Sequence, residues 1–394
     1  MRAPFSHVSP AKHTPTTGSC NMPIEFLGMA RPNRGDETHL NTGEHFDQAY
    51  FTRLARVHED GGFDRVLFAY AAGGRDPATS AAWFAAKFDR LGILLAHRPN
   101  VSNPTFAAQQ FATLDQLSNG RLAVHIITGG SQKDQIRDGD TLPKDRRYAR
   151  SREYIQILKR AWTETEPFSH EGEFYRFEDF LARVRPVQSP RPRISFAGAS
   201  QEAIDVGGAE ADVFALWGEP LAGTRAQIDA VLEAARKVGR AEDNLPKIQT
   251  FFRFVIAPTD ELAWKRADEL IARAGALRAA QPVDPRARPI NPENEGSQRL
   301  LRQGAPGTRH DRAGLVHATT EASGGGNAIA IVGSPETIAE ALLDYYDIGV
   351  RIFHVRGFDT FNDSVDFGRH VIPLLRSEVA RRESEENPPL RLEA

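Results

Sequence analysis

The 394-residue chain has a single cysteine, Cys20, which excludes an intrachain disulfide framework and any multi-cysteine metal site. It has no apolar run of the roughly 18 residues that a membrane-spanning helix needs. The start, MRAPFSHVSPAKHTPTTGSCNMP, lacks the apolar core of a secretory signal, so a cytoplasmic location is expected by elimination. Neither sign of charge dominates: 49 Lys and Arg face 52 Asp and Glu, a net charge of −3. Nothing in that balance calls for nucleic acid or an anionic membrane as a partner. The His-Glu-x-x-His metal motif and the Gly-x-Ser-x-Gly nucleophile elbow are also missing.

What is present is ordinary globular material. At 40% hydrophobic and 26% charged, the chain can bury a large core, and disorder along most of its length is excluded. Residues 1–22 lack periodicity and read as a flexible arm. Residues 382–394 are charged and proline-bearing and read as a fraying tail. Between them, over 23–381, short apolar runs alternate with amphipathic stretches. Eight strands begin near residues 24, 64, 91, 122, 193, 211, 248 and 351, each followed by helical sequence. IAIVGS (329–334) is a further apolar run, leading into a helix that opens on Pro335.

Near-continuous apolar strands separated by helices indicate a parallel sheet covered on both faces. Eight such units can close into an α/β (β/α)8 TIM barrel. An open doubly wound sheet is the alternative. Its dinucleotide form wants Gly-x-Gly-x-x-Gly after an early strand, whereas Gly324-Gly325-Gly326 sits late. Residues 276–327 break the rhythm with five prolines and a cluster of arginines, and form a long insertion between strands 7 and 8. Such a loop is either an active-site lid or an inert insertion.

Barrel sites are built where strands end and βα loops begin. There the sequence offers Thr79, Ala96-His97-Arg98, His125, Thr128, Arg147-Tyr148, Gly198-Ala199-Ser200, Trp217 and Arg356. Small, aromatic and hydrogen-bonding residues suit a large planar ligand. Gly198-Ala199-Ser200 before a helix can seat a phosphate on free N–H groups, but Ser200 as a plain helix cap explains the pattern equally. His125 in mid-strand fits a satisfied core histidine, and Arg147-Tyr148 fits a surface arginine beside a packing tyrosine.

The stretch HRPNVSNPTFAAQQFATLDQLSNGRLAVHIITGG (97–130) resembles the bacterial luciferase-like flavin-dependent monooxygenase superfamily, and within it the alkanesulfonate monooxygenase group. DRRYARSREY (145–154), ISFAGAS (194–200), ADVFALWGEP (211–220), TDELAW (259–264) and AIAIVGSPETIAE (328–340) match the same group in order, and the likeness spans about 24–380. The resemblance implies a barrel with an insertion before strand 8. It also implies reduced FMN (FMNH2) as co-substrate, delivered by a separate NAD(P)H-dependent flavin reductase. O2 chemistry would run through a flavin C4a-(hydro)peroxide, with a small organic substrate, organosulfur in the sulfonate enzymes, where C–S cleavage yields aldehyde and sulfite. By position, the isoalloxazine would lie near Thr79, Ala96, His125 and Thr128. Arg147, Tyr148 and Ser200 would hold the phosphate, with Gly198 and Ala199 giving close approach. Thr79, His97, Arg98, Trp217 and Arg356 become the catalytic candidates, and no metal is implied. The group's assembly habit implies a homodimer or homotetramer.

This sequence departs from the group at three places. Thr79 stands where the group has cysteine, and Phe358 where it has tyrosine. The group's inward Arg-x-His of strand 7, anchored on Val255-Ile256, falls on Phe252 and Phe254, with Arg253 on the opposite face. A less charged, more aromatic pocket is expected from these changes. They also keep open a flavin-binding protein without turnover, and a deazaflavin-dependent oxidoreductase on the same barrel.

Overall fold

The computed structural model describes residues 24–35, 45–280, 295–303, 309–310, 314–315 and 328–386. The expected N-terminal arm with Cys20, most of the insertion including Gly324–Gly326, and the end of the C-terminal tail lie outside the described residues.

Eight of the described strands form a closed parallel barrel in the order β1 (Glu25–Met29), β2 (Arg65–Phe68), β3 (Gly92–His97), β4 (Leu122–Ile126), β7 (Arg193–Ala197), β8 (Val213–Trp217), β9 (Lys247–Ile256) and β13 (Val350–Arg356). Pairing of β13 with β1 and of β8 with β9 closes the ring. These are the eight strands read from the apolar runs. The open doubly wound alternative is thereby ruled out.

Helices return the chain between strands: α1 (Gln48–Asp60), α2 (Pro77–Ala85), α3 (Pro104–Leu117), α4 (Gln132–Arg137), α5 (Lys144–Thr163), α6 (Gln201–Glu210), α7 (Leu221–Lys237) and α8 (Asp260–Ala280). Their ends follow local chemistry. Asn103 caps α3 ahead of Pro104, and the helix stops at Asn119 and Gly120, both at positive φ. Thr259 accepts from the Leu262 amide at the start of α8. A hairpin of β5 (Phe168–Glu171) and β6 (Arg176–Phe180) and the short helix α4 are further elements that the apolar runs do not mark. Glu153 in α5 collects the hairpin through amides of Glu173, Phe174 and Tyr175.

The insertion departs from a plain loop. Helix α8 continues to Ala280, and a further helix, α9 (Glu295–Gln303), precedes two short strands, β10 (Arg309–His310) and β11 (Gly314–Leu315). Strand β12 (Ala330–Gly333) follows and pairs with the upper half of β9, outside the barrel. The Ile329 amide donates to Gly218 O and the Arg253 amide to Ile329 O, so the lead-in to β12 wedges between β8 and β9 at the rim. Helices α10 (Pro335–Asp347), α11 (Thr360–Asp366) and α12 (Ile372–Glu386) complete the outer layer. Among the described residues no helix is long and apolar enough to cross a membrane.

The core has two parts. Between the strands and the helix ring lies the main cluster, with Phe26, Phe84, Phe111, Phe196, Phe214 and Phe353 buried in it. Inside the barrel, Leu27, Leu94, Ala123, Val213 and Ile352 form a separate layer with Leu67. These come from six of the eight barrel strands, and inward side chains that fill the lumen in layers are what an eight-stranded barrel requires.

Candidate active site

The inner layer fixes which face of each strand looks into the lumen. Side chains alternate along a strand, so residues two steps beyond that layer also point inward, toward the C-terminal mouth. These are Met29, Ala96, His125, Ser195, Ala197, Ala215, Trp217, Phe251, His354 and, at the rim, Arg253 and Arg356. Registers agree: Ala96 pairs with His125, His125 with Ser195, Trp217 and His354 with Phe251, and Arg356 with Arg253. Contacts across strands agree as well. His125 Nδ1 lies 2.9 Å from Ser195 Oγ, and His354 Nε2 lies 3.2 Å from Met29 Sδ. The Phe251 ring lies 4.6 Å from that of His354 and 5.9 Å from that of Trp217.

This corrects the strand-7 reading. Phe252 and Phe254 face the helix layer, where Phe252 packs on Tyr345 at 4.6 Å and Phe254 on Phe367 at 4.7 Å. Phe251 and Arg253 face inward instead. A strand buried on both faces shows no alternation, so its sequence does not reveal which residues point in. Phe251, Arg253, His354 and Met29 are therefore site residues that sequence reasoning missed. Counting back two residues from Arg356 was the available signal for His354.

The inner wall is uneven. On β3, β4, β7 and β8 it carries Ala96, His125, Ser195, Ala197 and Ala215, mostly small. On the far side stand Trp217, Phe251, Arg253, His354, Arg356 and Met29, all bulky. Burial pushes the His125 imidazole down to about 4. His354 is pushed to about 3 by burial first, then by Arg356, His125, Arg253 and His58. Both rings are neutral at neutral pH and act as single donors and acceptors.

At the mouth beside the small wall, three predicted residues come together. Tyr148 from α5 is buried next to Gly198 and Ser200. A Cβ at Gly198 would overlap Ala203 Cβ and crowd the Tyr148 hydroxyl, so only glycine leaves this seat open. Ser200 stands at the N-cap of α6 yet makes no capping hydrogen bond. Its hydroxyl is buried and flanked by Tyr148 and Glu202, without a hydrogen bond of full geometry to either. The plain-cap reading of Ser200 does not hold. The first turn of α6 also carries Glu202, whose carboxyl is lowered by its contacts with Ser200 and with its own amide; a helix start of this kind offers its other amides to an anion.

The other predicted residues have structural partners. His97 faces the helix layer, 2.8 Å from Tyr154 Oη and against Phe111, because it alternates with inward Ala96. Arg98 is buried and bound to Asp134 at 2.5 Å and Asp138 at 2.7 Å. It lies over the Tyr70 ring, and Tyr70 in turn donates to Asp138. Thr79 is exposed in the first turn of α2, its hydroxyl donating to the N-cap Asp76 at 2.5 Å. The structure thus does not bring Thr79, His97 and Arg98 into the lumen set. Thr128 is buried beside Ser151 Oγ at 3.2 Å. Buried Arg147 braces the loop after β4 through Gln132 and Leu142 O.

Helix α9 of the insertion lies over this mouth. A Cβ at Gly296 would stand 2.9 Å from Trp217 Cδ1 and 3.3 Å from Ala199 Cβ. Arg299 clasps the fully buried Glu219 carboxylate through bonds of 2.6 and 2.8 Å. Among the described residues no cluster of His, Cys, Asp and Glu could hold a metal ion.

Fold and site together define a parallel α/β barrel whose lumen opens at the C-terminal strand ends beside the start of α6, which Ser200 leaves without a side-chain cap. The chain belongs to the luciferase-like monooxygenase family, whose model matches residues 24–351. Solved structures share the fold. A riboflavin lyase (RcaE), solved with modified FMN and substrate riboflavin, is 22% identical, with TM-score 0.73 over 90% of this chain and 92% of that one. The EDTA monooxygenase (EmoA) from Chelativorans sp. BNC1 is 17% identical, with TM-score 0.73 over 90% and 94%. An F420-dependent secondary alcohol dehydrogenase, in complex with an F420–acetone adduct, is 17% identical, with TM-score 0.64 over 90% and 99%.

Proposed function

We propose that this chain is a flavin-dependent monooxygenase of the two-component type. It takes reduced FMN from a separate NAD(P)H-dependent reductase and uses O2 to oxidise a small organic substrate, with alkanesulfonate-like organosulfur compounds as the leading class. The reading includes a cytoplasmic homodimer or homotetramer. Its main support is the seat at Gly198, Ser200 and Tyr148, an uncapped helix start with a buried, under-used hydroxyl beside a wall of small residues.

These residues fit FMN. The amides of α6, Ser200 and Tyr148 would hold the phosphate, and Ala96, His125, Ser195 and Ala197 leave room for a flat ring system. When bound, reduced FMN supplies two electrons and the capacity to activate O2. The protein's own share is orientation and dryness. His125, kept neutral and tied to Ser195, can hold or pass one proton without adding charge to the lumen. Helix α9, held by Arg299 and Glu219, shields the Trp217 side from water.

Anaerobic titration followed by tryptophan fluorescence tests this. Photoreduced FMN should saturate the protein and bind roughly tenfold or more tighter than reduced riboflavin, which lacks the phosphate. Reduced FMN should then support oxygen uptake coupled to substrate oxidation without NAD(P)H. Equal binding of FMN and riboflavin, or preference for F420, would overturn the proposal. Sulfite release with an aldehyde product would place the substrate among the organosulfur compounds, whereas a mass gain of one oxygen without sulfite would indicate hydroxylation or oxygen insertion.

A further inference from the structure

We propose that the floor of the barrel is a binding site for one ordered water molecule, held by Gln249 and Ser195, and that this water relays protons to His125 from the N-terminal end of the molecule. The water site stands on the geometry of the floor. Its use as a proton supply rests on the reading that chemistry takes place at the C-terminal mouth.

Three observations carry it. First, Gln249 is an inward residue of β9, two steps before Phe251, and is only 5% exposed. Its side-chain amide has no hydrogen-bond partner among the described residues. An enclosed amide costs free energy unless something pairs with it. Gln249 borders a small cavity that it shares with Ser195, Glu25, Arg65, Arg193 and the apolar inner layer, with room for about one water molecule.

Second, a polar bar closes that cavity from below. Strands β1 and β7 stand opposite each other in the ring, so the Arg193–Glu25 pair at 2.6 and 2.9 Å crosses the barrel axis. Glu25 and Gln249 are both register partners of Ile352, one on each side of it. Arg65 Nε is buried without a hydrogen bond of full geometry, 3.5 Å from Glu25 Oε2. A buried water needs about two to four polar partners, and these side chains offer donors and acceptors alike. The Arg193 and Glu25 side chains are 28% and 14% exposed, so solvent reaches the outer side of the bar.

Third, the cavity is linked to the candidate site from above. Ser195 stands two residues beyond Arg193 on the same face of β7, and its Oγ lies 2.9 Å from His125 Nδ1. In the relay, Ser195 donates to Nδ1 and the ring proton sits on Nε2. The water gives a proton to Ser195 Oγ, the hydroxyl passes its own proton to Nδ1, and the imidazole releases the Nε2 proton to the lumen. One proton enters at the floor for each that leaves at the mouth, so charge balances. Such a route supplies protons while α9 keeps the mouth covered and dry.

The test uses the full-length protein in two measurements. A crystal structure that shows ordered solvent should place a water within hydrogen-bond distance of the Gln249 amide and Ser195 Oγ. Nitrogen-15 NMR of the histidine rings, with oxidised FMN filling the mouth, should find the His125 ring proton on Nε2 and in exchange with solvent. Gln249→Met keeps the length of the side chain and removes its amide, and should slow that exchange about tenfold or more. Ser195→Ala should slow it at least as much. The His97 ring, which faces the helix layer, should exchange equally in all three proteins. If Gln249→Met loses its thermal transition, the wild-type structure and Ser195→Ala decide.

A floor cavity without water would overturn the proposal. So would exchange at His125 that neither substitution slows, or a ring proton found on Nδ1. Protein that holds the water but does not bind FMN would uphold the floor site and sink the flavin reading, so the two fail separately.

Discussion

The two ends of the barrel differ in how their polar groups are satisfied. At the N-terminal end, Arg193 grips Glu25 in a bidentate pair at 2.6 and 2.9 Å, and Arg65 approaches the same carboxylate at 3.5 Å. The apolar layer of Leu27, Leu94, Ala123, Val213 and Ile352 lies above them. At the C-terminal end, Arg253 and Arg356 stand on one wall among aromatic rings, and Ser200 declines its helix cap. Closed ion pairs serve cohesion, and under the proposed function the uncapped start of α6 serves recognition. The difference teaches that residue type alone does not sort structural from functional arginines. Neither does the strand end alone, since Arg98 beyond β3 is held by Asp134 and Asp138; the partners of each arginine decide.

That contrast can be broken most forcefully from below. Glu25→Ala leaves Arg193 and Arg65 without their shared carboxylate and should cost about 3 kcal/mol in urea unfolding, with FMN affinity retained. At the mouth, Arg299→Ala strands the buried Glu219 carboxylate. It should release α9 by up to about 3 kcal/mol, seen as faster hydrogen exchange over 295–303 without a comparable change in global unfolding. Smaller again, Ser200→Ala and Tyr148→Phe should each weaken reduced FMN about tenfold, roughly 1.4 kcal/mol, with little change in unfolding. Smallest in stability, but sharpest in logic, is a histidine pair. His97→Asn should cost about 1 kcal/mol of stability and leave flavin binding intact, whereas His125→Asn should do the reverse.

Acid should separate the same groups by pH. Burial holds His58, His97 and His125 near about 4 in the fold, below their ordinary 6.5. The unfolded chain takes up those protons first, so stability is present above pH 6.5 and is lost as pH falls toward about 4. Glu25 adds a second loss. Burial pushes its carboxyl up, but the Arg193 hydrogen bond and the charges of Arg193, Arg65 and Lys247 outweigh that and lower it from 4.5 to about 2. Its contribution is therefore present above pH 4.5 and lost as pH falls through about 2. Glu25→Ala should remove only this lower segment of the stability profile.

Much of the architecture was legible along the chain. The eight apolar runs are the eight barrel strands, and Pro104, Asn119-Gly120, Thr259 and Pro335 mark helix ends where the structure has them. The hairpin at 168–180 was not legible, because its exposed, charged strands are held from outside by Glu153. At the site, the grouping of Tyr148, Gly198 and Ser200 followed from the family resemblance; the residues alone left Ser200 as a plain cap and Tyr148 as a packing residue. His97, Arg98 and Thr79 have the right residue types and stand near strand ends, but their partners come from α5, α4 and the α2 cap.

Sequence by itself determined the number of strands, the α/β alternation and the place of the insertion, since all three are written in local apolar periodicity and turn chemistry. Tertiary structure alone decided which face of each strand looks inward. In a barrel both faces are apolar, so only closure of the ring separates lumen from helix layer. That closure turns Phe252 and Phe254 out, brings Phe251, Arg253 and His354 in, and sets two arginines from distant parts of the chain side by side.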